Sequence, residues 1–154
     1  MKVFRIASKA YINDLSGGGA MMFGGRWNKK GVSMLYTSQS VSLAALETLA
    51  NLSINKLNDS LFVAEIELSD TSKISDVEDL PKQWNVHPHT SSTVSIGSDF
   101  VRSGGFCLKV PSAIIPKEYN YLFNPGHENF GAVKIIDTMP LTLDKRLVRY
   151  KANF

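Results

Sequence analysis

One cysteine, Cys107, stands among the 154 residues. A disulfide-stapled scaffold is thereby excluded, and the chain suits a reducing compartment. No apolar run approaches the roughly 20 residues that span a bilayer. The opening Met1-Lys2-Val3-Phe4-Arg5 lacks the apolar centre and small-residue cleavage site of a secretion signal. The expectation is a cytoplasmic protein that makes no membrane contact. Charge of one sign is scarce too. Lys plus Arg number 17 against 14 Asp plus Glu, a net charge of +3. Lys29-Lys30 and Lys145-Arg146 are isolated pairs rather than a basic stripe, so direct nucleic-acid binding is not expected. The small positive excess suits an anionic small molecule or an acidic protein partner. Internal repeats and low-complexity tails are missing. So are a Walker-type loop and a Gly-x-Gly-x-x-Gly turn opening a helix, so any nucleotide would be held in a non-Rossmann manner. His87-Pro88-His89 has no further His or Cys at ligand spacing, and no metal site is expected.

What is present fits one ordinary domain, residues 1–154, with its own core: 44% of residues are hydrophobic and 20% charged, near globular averages. The most informative stretch is Gly24-Gly25-Arg26-Trp27-Asn28, with Tyr36 and Glu47 following. A glycine pair lets the backbone bend tightly or approach a ligand. An arginine directly after it presents a fixed fork of donors to a phosphate or carboxylate. Ser33 to Ser38 reads as a short strand carrying Tyr36. Ser40 to Leu52 reads as a helix with Ser40 as its N-cap. Eight of its twelve residues from Val41 to Leu52 are apolar, so burial on most sides is expected. Its polar stripe is Ser40, Glu47 and Asn51. An acid in the centre of such a helix needs a partner or a wet cleft. Arginine, aromatic ring and carboxylate on three consecutive elements suit a substrate with phosphates, a flat ring and a bond that breaks through a cationic transition state.

The rest of the chain supplies the frame. Val3 to Ile6 reads as an opening strand and Gly17-Gly18-Gly19 as a loop. Leu61 to Leu68 is the clearest strand, with Phe62, Ala64, Ile66 and Leu68 on one face. Ser69 to Pro88 reads as irregular, with a short helix before Trp84. Val94 to Arg102 reads as a helix broken at Gly104-Gly105, and Phe106 to Val110 as a strand ending at Pro111. Tyr119 to Phe123 and Val133 to Ile136 are further strands. Strand and helix do not alternate regularly, so the class is α+β rather than doubly wound. Cys107 falls inside an apolar strand and reads as an inert core thiol, and His127 as a loop histidine.

These motifs, in order, resemble the RES-domain family. The resemblance is carried by Gly24-Gly25-Arg26-Trp27-Asn28, Gly31, Leu35-Tyr36-Thr37-Ser38 and Ala45-Leu46-Glu47-Thr48-Leu49. Val110-Pro111-Ser112-Ala113 and Glu118-Tyr119-Asn120-Tyr121-Leu122-Phe123-Asn124-Pro125 carry its second half. It runs from about Phe4-Arg5-Ile6 to the C-terminal strands. The Arg, Glu and Ser that give the family its name correspond to Arg26, Glu47 and Ser112. The resemblance implies a fold like that of ADP-ribosyltransferases, a mixed or antiparallel split sheet with a few flanking helices. It implies a toxin of a bacterial toxin–antitoxin module, paired with a helix-turn-helix antitoxin of the Xre type. It also implies that NAD is consumed as a substrate by cleavage of the nicotinamide–ribose bond, through hydrolysis or phosphorolysis, so that phosphate becomes a co-substrate in the second case. Transfer of ADP-ribose to a protein is the alternative within the family. A non-catalytic nucleotide- or partner-binding module is the alternative of another class, and a homodimer is compatible with either.

Under this resemblance Arg26 and Glu47 are the catalytic candidates, and Arg5, Tyr36, Ser112 and Asn124 the NAD-binding ones. Arg26 pairs with the pyrophosphate, with Arg5 as a second phosphate or ribose contact. Tyr36 stacks on nicotinamide with its hydroxyl held by a neighbour. Ser112 hydrogen-bonds the nicotinamide amide or a phosphate; no Gly-x-Ser-x-Gly elbow surrounds it, so it is not read as a nucleophile. Glu47 stabilises the ribosyl cation as nicotinamide leaves. Of Asn120 and Asn124, one is expected to be structural.

Overall fold

The computed structural model describes residues 1–52 and 60–149; the last five residues of the expected domain lie outside them. Along the chain come β1 (Lys2–Ser8), α1 (Gly18–Phe23), β2 (Leu35–Ser38), α2 (Val41–Asn51), β3 (Leu61–Leu68) and β4 (Ile74–Asp76). They are followed by α3 (Ser91–Arg102), β5 (Cys107–Pro111), β6 (Tyr119–Phe123), β7 (Val133–Pro140) and α4 (Lys145–Arg149). The strands form a seven-stranded sheet in the order β4-β5-β6-β2-β1-β3-β7. The class is α+β, as the element order implies. Every neighbouring pair is antiparallel except β4 with β5. β1 pairs with β3 over seven residues but meets β2 only where Phe4 faces Ser38. The sheet is therefore almost divided at that seam.

The two-residue period of the strands sorts the core onto two faces. Cys107 on β5 lies opposite Phe123 on β6, and both join one cluster with Leu35, Val3, Ala64 and Ile66. The next residues along, Leu108 and Leu122, are also register partners and join the other cluster with Met34, Val110 and Trp27. α3 packs Ile96 and Phe100 against this second cluster. On the same face the alternation continues from apolar to polar residues. Tyr36 leads to Ser38 on β2, Leu122 to Asn120 on β6, and Leu108 and Val110 to Ser112 past the end of β5. The candidate site lies at that polar end.

Four local expectations need correction. Gly18 and Gly19 belong to α1, not to a loop. Glycine costs a helix about 1 kcal/mol each, but tertiary contacts hold this one: the Asn28 side chain donates to Ala20 O at 2.8 Å, and Gly31 N–H to Met21 O at 2.8 Å. No helix precedes Trp84; residues 82–85 form a turn in which Gln83 takes φ 62°, a left-handed value that ends any helical run. β4 lies in the segment read as irregular, and three residues with one apolar side chain are too few to display a strand period. Finally, α2 is not buried on most sides. Leu43 and Ala44 are buried, whereas Val41 and Leu46 remain 36% and 37% exposed. The helix lies on one layer of sheet, so its apolar girth exceeds the surface available to cover it. Ser40 caps α2 as expected, its hydroxyl accepting from Leu43 N–H at 3.1 Å.

Candidate active site

The Gly24–Asn28 segment is organised by Asn28, which is 1% exposed. Its amide nitrogen donates to Ala20 O, Lys29 O and Val32 O, and its Oδ1 accepts the Tyr36 hydroxyl at 2.8 Å. The Tyr36 oxygen in turn accepts from Trp27 N–H at 3.1 Å. A Cβ on Gly25 would stand 2.8 Å from that hydroxyl and 2.9 Å from Asn28 Oδ1, so glycine is needed here for close approach. Gly24 sits at φ 72°, and glycine is needed there for conformation. Burial pushes the Tyr36 phenol well above the ordinary tyrosine range. Tyr36 is thus a fixed neutral ring, with its hydroxyl held by neighbours, and not a base.

Glu47 projects from α2 over the polar end of the second face. Its Oε1 accepts two hydrogen bonds, from Ser112 Oγ at 2.8 Å and from Asn120 Nδ2 at 2.6 Å. Among the described residues no partner takes Oε2. The Ser112 hydroxyl oxygen accepts from Ile114 N–H and Ile115 N–H, each at 3.1 Å, so its own proton is directed at Glu47. Ser112 is fully buried. The structure therefore places it beneath Glu47, as a support for that carboxylate.

A cleft of about 940 Å³ opens beside this carboxylate. Arg5, Tyr36, Glu47 and Asn120 line it, and Tyr11, Met22 and Phe23 form an exposed apolar rim. Arg5 Nη1 donates to Tyr11 O at 2.8 Å and Ile12 O at 3.0 Å, fastening the loop before α1. Arg26 stands close enough for its charge to respond to Glu47 and Tyr36. Burial lowers its pKa from the ordinary value, while the Glu47 carboxylate and Tyr36 work the other way. It remains a cation in any case. Its Nη1 donates to Trp84 O at 2.7 Å and Val86 O at 2.9 Å. Nε and Nη2 have no partner among the described residues. His89 approaches this group, and burial, Arg26 and His87 all push its pKa down, favouring the neutral ring.

Asn124 is not brought to this cluster. Its Nδ2 donates to Gly105 O at 3.0 Å and its Oδ1 accepts from Gly126 N–H at 3.0 Å, in a loop beside a separate, more open depression. Of the two asparagines, Asn124 is the brace and Asn120 reaches the carboxylate. His127 is structural as well, its Nδ1 accepting from Asn129 N–H at 3.0 Å and its ring lying 5.0 Å from Phe106. Cys107 is fully buried, and its thiol is pushed up to about 12 by that burial. Sequence reasoning gave no role to Asn28 or Ser38. The hydroxyl of Ser38 donates to Asn120 Oδ1 at 2.7 Å. The available signal was position: Ser38 stands two residues after Tyr36 on the same strand face.

Comparison with known proteins identifies the family of the chain. A family model described as RES domain matches residues 2–144. A protein of Sphingobium sp. (strain YBL2) named Prs ADP-ribosylating toxin is 35% identical over 154 aligned positions, spanning 95% of this chain and 96% of that protein. A protein of Yersinia enterocolitica named Toxin Res is 33% identical over 151 positions, spanning 96% and 99% respectively. The fold resembles a chain in the crystal structure of the M. tuberculosis MbcT-MbcA toxin-antitoxin complex, with a TM-score of 0.77 at 18% identity, covering 99% of this chain and 89% of that one. No helix among the described residues is long and apolar enough to cross a membrane.

Proposed function

We propose, from the premise that this chain belongs to the RES-domain family, that it is the toxin of a bacterial toxin–antitoxin pair and destroys NAD by cleaving the nicotinamide–ribose bond. One observation carries this reading above the others. Glu47 is held through one oxygen by Ser112 and Asn120, and its second oxygen has no partner among the described residues, in a cleft lined by Arg5 and Tyr36. A fixed carboxylate of this kind stabilises positive charge that develops at the ribose carbon as the bond to nicotinamide breaks. Nicotinamide leaves with the bonding electron pair. Water then supplies the new C–O bond and releases one proton, or phosphate takes its place and yields an ADP-ribosyl phosphate. The ring of Tyr36 offers a face for the nicotinamide. The Nε and Nη2 groups of Arg26, which have no partner among the described residues, together with Arg5, suit the pyrophosphate. Ser112 acts through Glu47 and not on the substrate.

A second reading has a specific observation behind it. The relative from Sphingobium is named an ADP-ribosylating toxin, which favours a protein side chain as acceptor. Bond breaking is common to all three acceptors. A toxin of this kind requires a neutralising partner, and we take it to be a helix-turn-helix antitoxin acting in the cytoplasm. The likeness to a chain of a toxin–antitoxin complex and the apolar rim of the cleft support such a partner.

Induced expression in bacteria is expected to deplete the NAD pool and arrest growth, and Glu47→Gln is expected to do neither. Arg26→Ala should also be inactive, but Arg26 braces Trp84 and Val86 as well, so its fold must be verified by circular dichroism. Growth arrest with an unchanged NAD pool points to protein modification. Neither arrest nor NAD loss from a folded chain points to a binding module. Assay with and without phosphate, by separation of ADP-ribose from its phosphate ester, sorts the remaining acceptors.

A further inference from the structure

We infer that Ser38 is a positioning residue for Glu47, acting through the side-chain amide of Asn120; the inference rests on Glu47 being the group that acts on the substrate. Ser38 on β2 and Asn120 on β6 are register partners in an antiparallel pair, and their side chains rise from the same face. Ser38 is 4% exposed. Its hydroxyl donates to Asn120 Oδ1 at 2.7 Å, while Asn120 Nδ2 donates to Glu47 Oε1 at 2.6 Å. An amide has one end that donates and one that accepts. Turned the other way, Asn120 would set its oxygen against the carboxylate oxygen with no proton between them. The carboxylate thus excludes the wrong orientation, and Ser38 rewards the right one by satisfying the oxygen left behind.

The consequence reaches the reacting end of the side chain. Two donors on Oε1, from Ser112 just past the end of β5 and from Asn120 on β6, converge and fix the plane of the carboxylate. That plane sets where Oε2 stands in the cleft. If Ser38 loses its hydroxyl, the amide oxygen of Asn120 has no donor among the described residues, and the amide is free to turn and seek one. Glu47 then keeps its charge but loses one of its two anchors. Such a loss falls on the transition state more than on substrate binding, because Glu47 acts as the ribosyl cation develops.

The test is a double-mutant cycle on purified protein, with nicotinamide release from NAD as the assay. Ser38→Ala is expected to lower kcat about tenfold, the effect of one lost neutral hydrogen bond at its upper range. KM should stay within about twofold. In an Asn120→Ala background, the further change Ser38→Ala should alter kcat by less than about twofold, since the path from Ser38 to Glu47 is already cut. A full and independent loss in that background would overturn the inference, and so would an unchanged kcat in Ser38→Ala alone. If wild-type protein does not cleave NAD, the reading of the reaction fails, and the relay is then judged by NMR. The Asn120 Nδ2 protons should exchange with deuterated solvent at least about tenfold faster in Ser38→Ala than in wild type. Equal exchange rates would overturn the relay whatever the reaction.

Discussion

Replacing Glu47 by glutamine is expected to lower kcat for nicotinamide release about 10²–10³-fold, corresponding to a lost transition-state interaction of about 3–4 kcal/mol. The substitution is chosen because of what surrounds the carboxylate. Ser112 Oγ and Asn120 Nδ2 both donate to Oε1, and a glutamine amide oxygen can accept both. The fold should therefore survive, and only the charge is removed. Alanine at this position is a poorer probe. It leaves two donors without an acceptor at the polar end of the core face, which costs about 1–3 kcal/mol of stability on its own. KM should change little in Glu47→Gln, because the carboxylate acts on charge that is absent from the ground state. Steady-state kinetics, with a thermal melt to confirm folding, decide the matter. Loss of cooperative unfolding in Glu47→Gln would make Glu47 a structural residue and remove its proposed role.

The second large effect concerns stability. Gly97→Ala is expected to lower the melting temperature by roughly 6–12 °C, from a cost of about 3 kcal/mol. Gly97 is buried in the middle of α3. A Cβ built there would lie 1.9 Å from the carbonyl oxygen of Trp27 and 2.8 Å from its carbonyl carbon. Those atoms are backbone and have no rotamer by which to yield. One helical position further on, the Ser98 hydroxyl accepts from Lys29 N–H at 2.9 Å and donates to Val94 O at 2.7 Å. α3 is thus clamped to the Trp27–Lys29 segment on both counts, and displacing it moves the residues beside Arg26 as well. Gly131→Ala is the control, since a Cβ there meets nothing within 4 Å. It should leave the melting temperature within about 2 °C of wild type, as surface substitutions generally do. Equal melting temperatures for the two variants would show that the contact at Gly97 relaxes easily.

Legibility of the fold followed the strength of local pattern. β3 sets Phe62, Ala64, Ile66 and Leu68 on one face, and its bounds were readable to the residue. β6 and the capped start of α2 were equally plain. β7 extends to Pro140, beyond the Val133–Ile136 stretch read as a strand, because the long neighbour β3 recruits its further residues by backbone pairing and the sheet edge tolerates a proline. α3 begins three residues before Val94, at Ser91, where serines and a threonine give no apolar period. β4 and α1 depend on contacts from distant residues and had no local signature. At the site, residue types were legible but partnerships were not. Arg26, Tyr36 and Glu47 stood out by their local sequence setting, whereas the convergence of Ser112, Asn120 and Ser38 needs the register of β2, β6 and β5. Register is a long-range property, and one chain read alone does not display which strands are neighbours. The same reason separated Asn120 from Asn124 only in three dimensions, four residues apart in one segment yet bonded to different parts of the protein.

Incubating purified chain with NAD and measuring free nicotinamide over time tests whether this cleft breaks the bond between nicotinamide and ribose. Catalytic release is expected, many turnovers per protein molecule, with release by Glu47→Gln about 10²–10³-fold slower at equal folded concentration. No nicotinamide above the protein-free control, from wild-type protein that melts cooperatively, would contradict it, as would equal release by the two proteins.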